Sequence, residues 1–463
     1  MKLKAFIFLF FLPVILLSAS DSSAQSAKIE DKPLPERLDQ VISSDFSSDG
    51  PGVVLLVAKE GKVIYEKAFG KANLELNVPM STGHVFRIAS ITKQFTAVAI
   101  LQLIEKGQLQ LDDDITKFIP DYPVHGYHIS IANLLSHTSG IKDYTEMEMA
   151  PGALRQQHSV AELIGMFKDQ AMEFEPGTAF KYSNSNYVLL GYIIEKLSGQ
   201  TYEQYINEHI FVPLGMTHSY YDSAEKVIPG RLTGYMATGA NTAVNAGYID
   251  PSNVYAAGAL LMTADDLFKW HQGLYRHTIL KKEDLSLATT PFTLKNGKKT
   301  KYGFGWELDS LGTMAAIQHS GSINGFSSYE IYLPAQDIFV ACFSNRQNIS
   351  TQQPAWLAAS ITAHSPAVQD IQLTAAQKGL YIGNYKFKLD QPSTINIFEK
   401  DGKLFLYQTG YPHPWEMHFT KPAEFYCDEV FPIVHVFSFD SSGKVTGFVI
   451  HAPSYTSTIT RIK

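Results

Sequence analysis

The sequence predicts an α+β fold followed by a small all-β domain. Three patterns carry that expectation. A strand hairpin at 51–70 precedes a long helix-rich middle. Strands return from about residue 301 and are closed by a helix at 352–364. A sheet assembled from both ends of a chain around a helical insertion is an α+β plan. After a linker-like stretch only short strands and turn residues follow, the pattern of a barrel or sandwich.

The elements follow in order. Met1–Lys4 is basic, Ala5–Leu17 is apolar, and Ser22-Ser23-Ala24 offers small residues for cleavage. Residues 1–24 therefore read as a secretory signal peptide. Its apolar run is short for a membrane span, and no other segment reaches that length. No cysteine follows the run to carry a lipid anchor. The expectation is an exported protein, periplasmic or secreted, with no integral membrane segment after signal removal.

Pro35–Phe46 reads as a helix. "PGVVLLVAKEGKVIYEKAFG" is a hairpin around Glu60-Gly61, and "RIASITKQFTAVAILQLIEKGQL" is one helix running to Gly107. "ISIANLLSHTSGI" is a short helix ending at Gly140. Helices are expected at 186–199 and 202–211, and another capped by Thr263 with Asp265 and Asp266 in its first turn. "MAAIQHSG", "FSSYEIYLP" and "IFVACFSN" are three strands. The domains are thus drawn as 30–364, a linker at 365–374, and 375–463. Hairpins around Asp401-Gly402 and Ser442-Gly443 mark the last one, where no helix pattern is visible.

Composition narrows the function. Hydrophobic residues are 45% and charged residues 18% of 463, an ordinary globular balance. A formal net charge of −7 argues against a nucleic-acid partner. The two cysteines, Cys342 and Cys427, form no framework and no metal cluster, so buried thiols are expected and no cofactor or metal is implied. Nucleophile-elbow, zinc-protease and phosphate-loop motifs are absent.

Ser-x-x-Lys occurs at Ser90, Ser139, Ser223 and Ser441, but only Ser90 opens a long apolar helix. There Lys93 shares a helix face with the hydroxyl, and the helix start offers free N–H groups to an oxyanion. Serine needs such a neighbouring base to become a nucleophile. The competing reading is an N-cap serine with a solvated lysine. Tyr182-Ser183-Asn184 precedes the next helix. A phenol beside an ammonium is favoured in its ionised form, so Tyr182 suits proton transfer, and Asn184 suits a substrate amide. His319-Ser320-Gly321 ends a strand, where Gly321 would let a ligand approach the backbone.

In that order the three motifs resemble those of the serine β-lactamase and penicillin-binding-protein superfamily, in its class C β-lactamase-related branch. D-Ala-D-Ala carboxypeptidases, D-aminopeptidases and esterases belong to that branch. "LLSHTSGI", "YSNSNYVLLGYIIEKLSG", "PLGM", "AAGALLMTADDL" and "QHSGSINGF" resemble it too, so that the likeness covers about residues 36–364. The tail from "GLYIGNYKF" is similar to an appended lipocalin-like barrel.

The resemblance implies a β-lactamase/transpeptidase-like fold, an antiparallel sheet flanked by helices plus a helical subdomain. It implies Ser90 as the acylated nucleophile, Lys93 as its base and Tyr182 as the proton relay. Asn184 would orient the substrate amide, and backbone N–H groups of Ser90 and Ser322 would form the oxyanion hole. His319 stands where β-lactamases carry a lysine, and as an imidazolium it would attract a substrate carboxylate. Arg346 is a second candidate for that carboxylate. The expected substrate is a small peptide, amide or ester, with the oligomeric state open. The rivals are a carboxylesterase on the same site, or a silent protein whose barrel holds a ligand.

Overall fold

The computed structural model describes residues 33–462 apart from 149, 151, 239–241, 365–370, 372, 388–393, 410–413, 428–433 and 453–454. The signal-peptide segment and most of the expected linker lie outside the described residues.

The first hairpin forms as its sequence dictates. Strands β1 (Val53–Lys59) and β2 (Lys62–Phe69) meet at Glu60-Gly61, both with positive φ. β3 (Glu307–Leu311), β4 (Met314–Ile323), β5 (Phe326–Leu333) and β6 (Ile338–Ser344) complete one antiparallel sheet in the order β3-β4-β5-β6-β1-β2. Val53 pairs with Ser344, so the two ends of the domain meet in the middle of the sheet. β3 escaped the sequence reading because Glu-Leu-Asp-Ser-Leu is an edge strand, mostly half-exposed, without a clear apolar face.

The run Val53–Ala58 is buried throughout because both sheet faces are covered. Side chains alternate across a strand. Val53, Leu55 and Val57 join Trp356 in one core, under helices α1 (Leu34–Asp45) and α5 (Gln352–His364). Val54, Leu56 and Ala58 join the larger core on the other face. That core surrounds α2 (Thr92–Glu105), α3 (Asn184–Ser198) and α4 (Ala264–Tyr275). α2 is buried at every residue from Thr92 to Leu103, as its near-continuous apolar sequence demands. Thr263 caps α4 by accepting from Asp266 N–H.

Two expected helices are shorter. The chain around Ser90 is not yet α-helical: Ala89–Ile91 form a 3₁₀ turn, and α2 begins at Thr92. The helix expected to reach Gly140 spans Ile131–Leu135, and His137 beyond it takes a left-handed φ of 56°.

The C-terminal domain is a closed barrel of eight strands, β7 (Gly383–Phe387), β8 (Thr394–Lys400), β9 (Lys403–Gln408), β10 (Trp415–Lys421), β11 (Glu424–Cys427), β12 (Val434–Phe439), β13 (Val445–Ala452) and β14 (Tyr455–Arg461). Each pairs with its sequence neighbour, and β7 closes on β14. The expectation of no helix here is corrected. Ala375–Tyr381 is helical, started by a capping box between Thr374 and Gln377 that the strand-rich surroundings masked. It delivers Tyr381 onto Phe437, 4.4 Å between rings, and Phe419, Phe425 and Phe448 complete an apolar core. Cys342 is buried in the sheet core and Cys427 in the barrel core. Among the described residues no helix is long and apolar enough to cross a membrane.

Candidate active site

Ser90 sits where β4, the start of α2 and the start of α3 converge. Its predecessor Ala89 has φ 48°, a left-handed backbone that costs a non-glycine residue energy and aims the next side chain outward. Ser90 is partly exposed between fully buried neighbours. β4 can lie against this loop because residue 321 is glycine. A Cβ there would stand 2.2 Å from Ile88 O and 2.3 Å from Ser328 Oγ. Gly321 therefore admits the protein's own backbone, where a ligand was expected. Ser322 follows it, exposed, beside the Ser90 loop.

Lys93 is fully buried, and its three donors are all placed. Nζ donates to Ser90 Oγ at 3.0 Å, Asn184 Oδ1 at 2.8 Å and Ala257 O at 2.9 Å. Burial pushes its pKa down to about 7, against the opposing pull of Asp143. A lysine so shifted carries a lone pair in part of the molecules at neutral pH, which a solvated lysine does not.

The other Ser-x-x-Lys pairs lack this geometry. Ser139 donates to Asn186 Oδ1, and Lys142 pairs with Glu173. Lys226 pairs with Glu203. Ser441-x-x-Lys444 lies in the turn between β12 and β13.

Tyr182 joins the cluster, though not as an ionised phenol. Burial raises its pKa well above 10, with the Ser90 hydroxyl pulling the other way. Lys93 Nζ lies over its ring face, 4.8 Å from the centroid, and not at Oη. Oη is buried and faces Ser90 short of a well-formed hydrogen bond. The phenol is thus a proton donor in waiting. Asn184 is already engaged: besides accepting from Lys93, its Nδ2 donates to Asp143 Oδ2 at 3.1 Å and Thr145 Oγ1 at 3.2 Å.

His319 is corrected most. It is 1% exposed, so no imidazolium faces a substrate. Nδ1 lies 2.7 Å from Ser320 O, which fixes the proton there. Nε2 then accepts from Tyr302 Oη at 2.9 Å. Burial, then Lys93, pushes its pKa down to about 3, and it stays neutral. Arg346 lies in a two-residue strand paired with Tyr235.

Two residues passed unnoticed in the sequence. Tyr302 fixes His319. His137 lies 4.2 Å from the Tyr182 ring, and its Nδ1 accepts from Ser183 N–H at 3.2 Å. The left-handed backbone at His137 places it there. Its motif "LLSHTSGI" was visible, but no local pattern pairs residue 137 with 182.

This fold and cluster define the active-serine class of penicillin-recognising and β-lactamase-like proteins. The Beta-lactamase family model matches residues 38–363, and the chain belongs to that family. A penicillin-binding protein of Bacillus subtilis (strain 168) is 32% identical over 295 residues, covering 60% of this chain and 64% of that one. The match thus spans just under two thirds of that relative's length. The D-amino acid amidase of Ochrobactrum anthropi SV3, complexed with L-phenylalanine, superposes with TM-score 0.63 at 25% identity, covering 73% of this chain and 99% of that one. The octameric penicillin-binding protein homologue from Pyrococcus abyssi has TM-score 0.63 at 24% identity over 92% of this chain and 99% of its own, a likeness of fold.

Proposed function

We propose that the protein is an exported serine hydrolase that cleaves small peptide or amide substrates through an acyl-enzyme, D-amino-acid derivatives foremost. One observation carries this: the buried Lys93 amine, shifted to about 7, lies 3.0 Å from Ser90 Oγ. The similarity to a D-amino acid amidase and a penicillin-binding protein supports the substrate class.

In this reading neutral Lys93 takes the Ser90 proton as Oγ attacks the substrate carbonyl carbon. The oxyanion is held by backbone N–H groups of Ser90 and Ser322. The Tyr182 phenol gives its proton to the leaving nitrogen, so the C–N bond breaks, Ser90 carries the acyl group, and a phenolate is left near the Lys93 ammonium, to take a proton from water and return one to Ser90 Oγ in the next step. Water then attacks with the same groups in reverse roles. Asn184 holds Lys93 in place, and its Oδ1 keeps a second lone pair for the N–H of a substrate amide.

Carboxylesterase activity on the same site is the second reading. The neutral, buried His319 favours it over strong β-lactamase activity, because no cation stands at that position for a penicillin carboxylate. A silent, ligand-holding barrel draws no support from an interior packed with Phe419, Phe425, Phe437 and Phe448.

Intact-mass measurement after exposure to a fluorophosphonate, a penicillin and D-amino-acid p-nitroanilides tests the proposal. A covalent adduct on the wild type and none on Ser90→Ala is expected. An adduct that survives Ser90→Ala overturns it.

A further inference from the structure

Asp143 is a buried carboxylate, 3% exposed, that the acylation steps leave unused. It lies on the loop that crosses the start of α3. Ser185, the residue after Asn184, grips this loop on both sides of it. Ser185 Oγ donates to Lys142 O at 2.7 Å and accepts from Tyr144 N–H at 3.0 Å. The neighbouring charges are paired among themselves nearer the surface, Lys142 with Glu173 at 2.9 Å and Lys181 with Glu146 at 2.7 Å. The Asp143 carboxylate meets two N–H groups instead. Oδ1 accepts from Thr145 N–H at 3.0 Å and Oδ2 from Asn184 Nδ2 at 3.1 Å.

That second bond decides how Asn184 sits. A primary amide has a donor end and an acceptor end of nearly one shape, and its neighbours choose between the two orientations. A carboxylate only accepts, so it takes Nδ2 and turns Oδ1 toward Lys93, where it accepts from Nζ at 2.8 Å. The flipped amide would set its donor end against the amine.

Charge gives Asp143 another hold on Lys93. The titratable groups facing the amine are Tyr182 and Tyr187, with rings 4.8 and 5.6 Å from Nζ, the imidazoles of His137 and His319, and Asp143. Burial keeps both phenols protonated and both imidazoles neutral. Among the described residues Asp143 is thus the one carboxylate whose charge pulls on the amine. When Lys93 takes the Ser90 proton, a buried ammonium forms, and that is costly without a counter-charge.

We propose that Asp143 is a positioning residue of the acylation step: it fixes the Asn184 amide that holds Lys93, and its charge balances the ammonium that forms as Ser90 attacks. Resting on the hydrolase reading above, the role requires no proton on Asp143 and no contact with substrate.

Asp143→Asn and Asp143→Ser each keep an oxygen to cap Thr145 N–H, but both lose the charge and admit the flipped amide. The rate at which a fluorophosphonate labels Ser90, read by intact mass between pH 5 and 9, tests the role. In that reaction the Oγ–P bond forms, fluoride leaves with its electron pair, and the serine proton goes to Lys93. No leaving group needs a proton, so the rate reports Ser90 and Lys93 without Tyr182. Wild-type labelling should rise through pH about 7.

Two changes are expected in both variants. The rise should move about one pH unit toward acid, since an amine without a nearby carboxylate gives up its proton more easily. The plateau above it should nevertheless fall about tenfold, since the ammonium formed in the attack has lost its counter-charge. A residue that merely shaped the loop would lower the plateau without moving the rise. A rise that stays at the wild-type pH in both variants, each folded by circular dichroism, overturns the role of Asp143. A wild type that takes no label, or a Ser90→Ala variant that takes one, overturns the hydrolase reading instead.

Discussion

Lys93 and Glu330 flank the first turn of α2, one directly and the other through Gln94. Both are fully buried, and burial drives both toward the neutral form: Lys93 down to about 7, Glu330 up to about 8. Their surroundings differ. Lys93 touches a partly exposed serine and has three acceptors from three separate segments. Glu330 accepts from Gln94 Nε2 at 2.5 Å, while Gln94 Oε1 accepts from Trp270 Nε1–H at 3.1 Å. That chain ends in an indole inside the core. A perturbed pKa thus marks function only where the shifted group reaches a reactive atom that solvent and substrate can also reach.

The largest effect should separate the two sides. Lys93→Met should lower kcat/KM for a D-amino-acid p-nitroanilide about a thousandfold or more while the protein stays folded. Glu330→Gln should keep turnover within about threefold of wild type, since Gln preserves the shape of the protonated acid. Comparable losses in both variants would erase the distinction.

Gly321→Ala tests whether the nucleophile loop needs β4 at its back. The added methyl meets Ile88 O at 2.2 Å, and backbone does not yield as a side-chain tip would. A destabilisation of about 1–3 kcal/mol with a marked fall in kcat is expected from denaturant melts and kinetics. An unperturbed variant would show that the close approach is dispensable.

pH sharpens the comparison further. Activity should rise through pH about 7 as Lys93 loses its proton. His319, with a pKa near 3, should add no inflection between pH 5 and 9. Stability should move the other way on account of Glu330. Its folded pKa lies above the unfolded value, so the folded state holds the extra proton between about 4.5 and 8, and stability falls as pH rises through that window. Glu330→Gln removes this loss. Its Tm advantage over wild type should be small at pH 5 and grow to about 3 °C or more at pH 9. A constant difference would mean that Glu330 does not titrate there.

The smallest effect concerns Tyr302. Tyr302→Phe frees Nε2 of His319 and should lower kcat about three- to tenfold with little change in KM, as expected of a residue acting through another. Loss of KM alone would place Tyr302 on the substrate.

Local pattern made much of this legible. The hairpin at Glu60-Gly61, the strands around His319 and the cap at Thr263 each announce themselves within a few residues. So did Ser90 and Lys93, which share a helical spacing. What stayed hidden depends on distant partners. Ala257 meets Lys93 across 164 residues, and Tyr302 meets His319 only because Gly303–Trp306 turn the chain back before β3. The phenol expected to ionise beside an ammonium stays protonated, since burial outweighs the charge and the amine lies over the ring. The left-handed backbone at Ala89 has no signature, because alanine elsewhere would not adopt it.

The pairing of Val53 with Ser344 also sets a schedule. The first hairpin leaves the ribosome early, yet its partner strand arrives nearly three hundred residues later. Until then β1 exposes an apolar, unpaired edge. Closing so large a loop is slow, and such an edge invites association with other chains. The nucleophile loop is backed by β4, itself part of that late sheet, so the reactive serine is assembled only when the domain is almost fully synthesised. Chains truncated before residue 344 should therefore be both inert and prone to aggregate, and a holding chaperone would act on the interval between the two strands.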